Sequence, residues 1–230
     1  MSWINDYWPL AINAYLAPPA GPKSCLSRPV IDLAVQLHMK PADIADRLGT
    51  IHSHGKPAVE RLLQHYTAHP KLLKRDVARL LDMSGFGLGS AFYEGVCTAE
   101  QGFEHFYRPI AGTPFTEAML TLLLDLYFRL VPATMIESTP EVRDMARRTG
   151  LAAARVVEVL HAFRDVDPCT RRRDTATAQA DTAQHTADAT QHAADAPTLG
   201  QLCRDTWQRL GNGDPMTTAA EARRFMEYYD

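Results

Sequence analysis

Phe115-Thr-Glu-Ala-Met-Leu-Thr-Leu-Leu-Leu-Asp-Leu-Tyr-Phe-Arg-Leu130 is the stretch on which the fold class turns. Leu120, Leu123, Leu124, Tyr127 and Leu130 recur at helical spacing and make one wide apolar face. Pro132 ends the run. A helix that is apolar over so wide an arc has to be covered by other elements, so it belongs at the centre of a core. Leu123 and Leu124, in its middle, are expected to be buried. Asp125 and Arg129 stand one turn apart and are expected to form a partly buried ion pair, with the lining of a pocket as the alternative. Thr121, Asp125 and Arg129 interrupt the longest apolar stretch, Ala118 to Val131, which is too short and too charged to span a bilayer.

Helical periodicity continues on both sides of this stretch. Val30, Leu33, Ala34 and Leu37 follow the i, i+3, i+4, i+7 rule. Pro41 to Leu48 reads as a short helix with Pro at its start and Gly49 at its end, followed by a loop from Ile51 to Lys56. Pro57 to Tyr66 and Pro70 to Met83 are two more helices. Ser84-Gly-Phe-Gly-Leu-Gly-Ser reads as a loop, with short helices from Ala91 and around Glu100–Tyr107. Beyond the central run come helices at about 140–149 and 152–164. A further helix leads from Leu199 to Gly211, and the last spans Thr217 to Tyr229. No period-2 pattern interrupts them. The expected fold is all-α, a compact bundle of about 9–11 helices.

The chain has 230 residues with Lys+Arg 24 against Asp+Glu 27, a net charge of −3. Hydrophobic residues make up 46% and charged residues 22%, which excludes a mostly disordered or collagen-like chain. So small a net charge sets up no strong field toward nucleic acid or an anionic membrane. Cys25, Cys97, Cys169 and Cys203 are 72, 72 and 34 residues apart, without a CxxC pair. That spacing speaks against a zinc knuckle or disulfide framework and for scattered buried thiols. The first 17 residues carry Asp6 and no Lys or Arg, so no basic region precedes an apolar core. The expected location is cytoplasmic.

Four segments follow from composition. Residues 1–27 are aromatic and Pro-rich, with Trp3, Tyr7, Trp8 and Tyr15, and read as a short helix and a stiff connector that pack onto the body. Residues 28–173 read as the main helical domain, and 197–230 as a C-terminal helical pair packing on it. Between them, residues 174–196 read DTATAQA, DTAQHTA, DATQHAA, DA, with Asp recurring every seven residues. A coiled coil needs large apolar side chains at two positions of each heptad. Here the only apolar residue is Ala, so the segment is expected to be a disordered or transiently helical low-complexity linker.

Thr139-Pro-Glu-Val-Arg-Asp-Met-Ala-Arg-Arg-Thr-Gly-Leu-Ala-Ala-Ala-Arg-Val-Val-Glu-Val-Leu160 resembles a helix-turn-helix unit. Ala146 is the small residue where two helices cross, and Gly150 stands at the turn, where positive φ is needed. Leu151, Val156 and Val159 fall where the second helix packs on the first. The resemblance implies that the start of the second helix would meet base edges. Those places hold Ala152, Ala153 and Ala154, then Val157 and Glu158. Alanines can touch a thymine methyl but make no side-chain hydrogen bond, and Glu158 has the wrong sign for phosphates. Ala45 and Gly49 repeat the same spacing around a second helical hairpin.

Charge is uneven along the chain. From Lys56 to Arg79 there are six Lys/Arg against two acids, and Lys71, Arg75 and Arg79 make one stripe along the helix. Residues 138–173 carry eight Arg against five acids. Lys71, Arg75, Arg79, Arg147 and Arg155 are therefore the candidate contacts for nucleic acid or another partner. Gly85, Gly87 and Gly89 lack the strand and the Lys-Ser/Thr that a phosphate loop requires. His52-Ser-His54 offers two imidazoles without a nearby Cys or paired acid, so no metal or cofactor is expected. No Ser/His/Asp, Cys/His or paired-carboxylate constellation is identifiable, so no catalytic residue is assigned. The expected function is that of a non-enzymatic protein-interaction or scaffold module with a protein partner and no membrane. The alternatives are a nucleic-acid-binding regulator with weak, non-specific contacts, or an enzyme with a dispersed site.

Overall fold

The computed structural model describes residue 3 and residues 5–82, 102–170 and 197–230. The loop expected at 84–90, the short helix from Ala91 and the repeat at 174–196 lie outside the described residues. Regular structure among the described residues is helical, apart from one isolated bridge between Pro109 and Thr116. The protein is all-α. None of the described helices is long and apolar enough to cross a membrane. The chain folds into two compact units, Met1–Glu104 with Glu227–Asp230, and His105–Met226. The division falls inside the 28–173 stretch that composition treats as one domain.

The first unit is organised around its N-terminal helix. Helix α1 (Trp8–Leu16) buries Trp8, Leu10, Ala11, Ile12 and Ala14, leaving almost no polar face. It packs against α2 (Arg28–Leu37), α3 (Pro41–His52), α4 (Pro57–Ala68) and α5 (Pro70–Asp82). Trp3 stands edge-on to Tyr7 and Trp8, with ring centroids 5.6 and 5.1 Å away. The aromatic segment is therefore the hub of this unit and not an appendage. Helix α2 buries Val30, Leu33, Ala34 and Leu37, the four residues its periodicity singles out.

Helix α3 corrects one expected boundary. It runs through Gly49 to His52, and Gly49 is neither a stop nor a turn. Ile44, Leu48 and Ile51 are all buried, at 0%, 0% and 2% exposure. The apolar stripe thus continues past the glycine, and burying Ile51 outweighs the roughly 1 kcal/mol that a helical glycine costs. The break between α4 and α5 comes at His69, with φ −129° and ψ 66°. Pro70 disfavours helical geometry in the residue before it, so one long amphipathic run becomes two helices.

Helix α6 (Glu104–Tyr107) spans the boundary between the units. In the second unit, α7 (Glu117–Arg129) is the expected central helix. Thr116 caps it by accepting a hydrogen bond from the Met119 N–H at 3.1 Å. Leu122, Leu123 and Leu124 are all fully buried. Arg129 Nη2 lies 3.0 Å from Asp125 Oδ2, with the arginine side chain 54% and the aspartate side chain 14% exposed, so the expected pair forms with only its carboxylate partly buried. Helix α7 packs against α8 (Pro140–Thr149), α9 (Ala153–Val166) and α10 (Leu199–Thr206).

A π-helical turn, Trp207–Gly211, continues α10, and α11 (Pro215–Tyr229) follows. Tyr127 and Phe128 pack against the Trp207 ring at 5.9 and 5.6 Å. A Cβ at Gly211 would meet that ring at 2.5 Å, so indole packing requires the glycine.

The cysteines divide by burial. Cys203 is buried, whereas Cys25 and Cys169 are exposed, contrary to the expectation of buried thiols. Burial pushes the Cys203 thiol up to about 12, so almost none of it is the reactive thiolate at neutral pH. Alkylation of the native protein is expected to modify Cys25 and Cys169 and to reach Cys203 only in denaturant. Peptide mapping of the labelled sites checks this, and native labelling of Cys203 would contradict it.

Candidate functional site

The α8–α9 hairpin is built by its turn. Gly150 ends α8 at φ +73°, in the left-handed region that an L side chain rarely adopts. No atom lies within 4 Å of where its Cβ would be, so backbone conformation alone demands glycine here. Val142 and Met145 of α8 and Val156, Val159, Leu160 and Phe163 of α9 are all buried. The residues at the opening of α9 face outward only in part. Ala152, Ala154 and Glu158 are exposed, while Ala153, Arg155 and Val157 are half-buried.

The arginines of this hairpin are already engaged. Arg148 Nε donates to Asp144 at 2.7 Å, and Arg147 donates to the same carboxylate. These bonds hold the Asp144 carboxyl below its usual range. Arg155 donates to Glu158 and lies over the Phe115 ring, 5.1 Å from its centroid. A phosphate contact by Arg147 or Arg155 would have to exchange one of these bonds.

The other three candidate contacts lie on α5 in the first unit. Lys71, Arg75 and Arg79 are exposed, as is Lys74. Arg75 Nε donates to Asp76 at 3.3 Å. Arg79 lines a cleft of about 330 Å³ together with Asp6 and Asp76. Tyr66 donates to Asp76 at 3.3 Å, and burial pushes the Tyr66 hydroxyl up. Lys71 and Lys74 form no ion pair among the described residues. The five candidate contacts thus fall into a group of three on one unit and two on the other.

Lys71 stands at the rim of a feature that periodicity does not reveal. The corner between α4 and α5 opens a cleft of about 550 Å³, lined by His65, Ala68, His69, Pro70, Lys71 and Leu72. The lining is mostly apolar. Its cause is the break at His69, which turns the chain away and leaves the end of α4 uncovered. The Pro70 signal was available in sequence, but where the break would leave space was not.

The second unit also brings charged side chains together from distant parts of the chain. Arg209 donates to Glu117, and its Nη2 lies 3.4 Å from Thr121 Oγ1. His105 Nε2 is 3.8 Å from Glu117 Oε2. Glu117 and Arg209 line a cleft of about 310 Å³ with Asp205 and Thr206 over Leu120 and Leu202. Arg209 lies 92 positions from Glu117 and 88 from Thr121 along the chain, so no local motif announces their meeting. Among the described residues no three His, Cys, Asp or Glu side chains converge as a metal site. His52 and His54 turn to different partners, Tyr15 at 3.2 Å and Glu60 at 3.3 Å.

No protein-family model, no curated protein and no solved structure matches this chain.

Proposed function

We propose that this chain is a non-enzymatic protein-interaction module that uses the α4–α5 corner to dock a partner segment carrying an apolar anchor beside acidic residues. The observation that supports the reading is the juxtaposition at that corner. An open apolar cleft of about 550 Å³ has Lys71 on its rim. Lys74 and Arg75 stand exposed on the same helix. Apolar burial supplies affinity, and the cations select the sign of the flanking charge.

A second reading, a nucleic-acid-binding regulator, is favoured by the left-handed Gly150 turn that joins α8 to α9. The alanines at the opening of α9 confine it to backbone contacts, which carry no sequence preference and weaken with salt.

One titration separates the two. Labelled peptides varying the anchor and its flanking charge are compared with a random duplex pool at about 150 mM salt. Peptides with an apolar anchor and acidic flanks are expected to bind, and Lys71→Glu is expected to abolish that preference. The duplex pool is expected to show no enriched motif. Enrichment of one motif with nanomolar affinity would replace the docking reading with the regulator.

A further inference from the structure

His38, His54 and His105 each have a carboxylate of the chain beside them, at 3.1, 3.3 and 3.8 Å from Glu104, Glu60 and Glu117. The α4–α5 corner is built differently. His65 on α4 and His69 in the break before α5 are both exposed, and their rings meet edge-on with centroids 5.2 Å apart. Both line the cleft of about 550 Å³, together with Ala68, Pro70, Lys71 and Leu72. Every ionisable side chain in that lining is basic, and none is a carboxylate.

Imidazole is the side chain that ordinarily gains and loses its charge between about pH 5 and 8, whereas a lysine ammonium keeps its charge throughout that range. The lining therefore carries one positive charge with both rings neutral and three with both protonated. The charged groups around it do not cancel this change. Arg61 stands one turn before His65 on α4, and Lys74 and Arg75 are exposed on α5. The Tyr66 ring, 5.5 Å from that of His65, belongs to a residue whose hydroxyl donates to Asp76. Asp76 also accepts from Arg75, so this acid is already engaged. Helices α1 and α3 pack against α4 but contribute no residue to the cleft.

We propose that protonation of His65 and His69 sets the strength of docking at this corner, so that a segment with an apolar anchor and acidic flanks binds more tightly when the rings are charged. The inference rests on the docking reading and adds its regulation. Two imidazolium rings at this separation repel each other and Lys71, and a carboxylate brought alongside by the docked segment offsets that repulsion. Protonation and docking therefore favour one another. The charged form binds better, so affinity rises as pH falls through the imidazole range, and the gain is lost as pH rises through it. By the same linkage, docking within that range takes up protons.

Fluorescence anisotropy with a labelled peptide carrying a leucine anchor and glutamate flanks tests this at about pH 5.5 and about pH 7.5, with salt held at about 150 mM. Glutamate stays ionised at both, so the peptide's own charge is nearly constant. The wild-type full chain is expected to bind about three- to twentyfold more tightly at the lower pH, the range for two exposed charge pairs. A peptide with glutamine flanks is expected to gain nothing. His65→Gln and His69→Gln are each expected to remove about half of the gain on a logarithmic scale. The double variant is expected to keep the native circular dichroism spectrum and to bind with one affinity at both pH values. His54→Gln, outside the cleft, is expected to keep the full gain. Calorimetry in buffers of different ionisation enthalpy is expected to show proton uptake on binding to the wild-type chain and none on binding to the double variant. Equal wild-type affinity at the two pH values, or the full gain in the double variant, would overturn the histidine regulation and leave the docking reading standing. Absence of binding at both would overturn the two together.

Discussion

Leu123→Ala and Leu124→Ala are each expected to destabilise the second unit by roughly 2–5 kcal/mol. Both side chains are fully buried in α7, which three other helices cover. Truncation removes the transfer free energy of the lost methyl groups and leaves a cavity that surrounding helices refill only partly. Unfolding in urea, followed by far-ultraviolet circular dichroism, measures the loss. Arg129→Ala, on the exposed side of the same helix, is the control and is expected to cost under about 1 kcal/mol. Costs that small at both leucines would put α7 on the surface and dismantle the second unit.

In the first unit the largest polar effect is expected at Glu104. His38 ends α2 in the left-handed region, at φ +50°. Its Nδ1 lies 3.1 Å from Glu104 Oε1, with the two side chains 4% and 5% exposed. Such a buried pair adds little net stability compared with a well-packed apolar one, yet removing one member deprives the other of this hydrogen bond in a poorly solvated place. Glu104→Ala is accordingly expected to cost about 3–5 kcal/mol. Glu104→Gln retains an oxygen that can accept from His38, and is expected to cost only about 1–2 kcal/mol. Equal losses in the two variants, read from urea unfolding, would show that packing volume and not the hydrogen bond is what Glu104 contributes.

The legible parts of this protein are those set by local periodicity. Five leucine and tyrosine positions between Leu120 and Leu130 foretell a buried helix, and the foretold helix spans Glu117–Arg129. Val30, Leu33, Ala34 and Leu37 likewise mark the buried face of α2. Gly150 has to sit at a left-handed turn between two helices, and it does. The end of α3 was less legible, because a glycine was weighed by its propensity while Ile51 beyond it was not weighed by its burial. Residues 1–27 were less legible for a related reason. Nine residues of α1 are too few to show a period, and their composition does not say that four helices cover them.

The candidate site was legible only in its charges. Lys71, Arg75 and Arg79 can be read as one exposed stripe from spacing alone. That Arg147 is bonded to Asp144 and Arg155 to Glu158 is a matter of rotamers, which spacing permits but does not choose. His65 and His69 stand four residues apart, but His69 lies just past the end of α4 in non-helical geometry. That the two rings instead meet each other edge-on is a matter of tertiary placement. By itself, then, the amino-acid sequence determined an all-helical chain, its central buried helix and the glycine turn at 150, because these rest on interactions within a few residues. The division at Glu104, the hub position of α1, the cleft at the α4–α5 corner and the pairing of Glu117 with Arg209 were decided by tertiary structure alone. Each depends on which distant surfaces exclude water from one another, and periodicity along the chain carries no information about that.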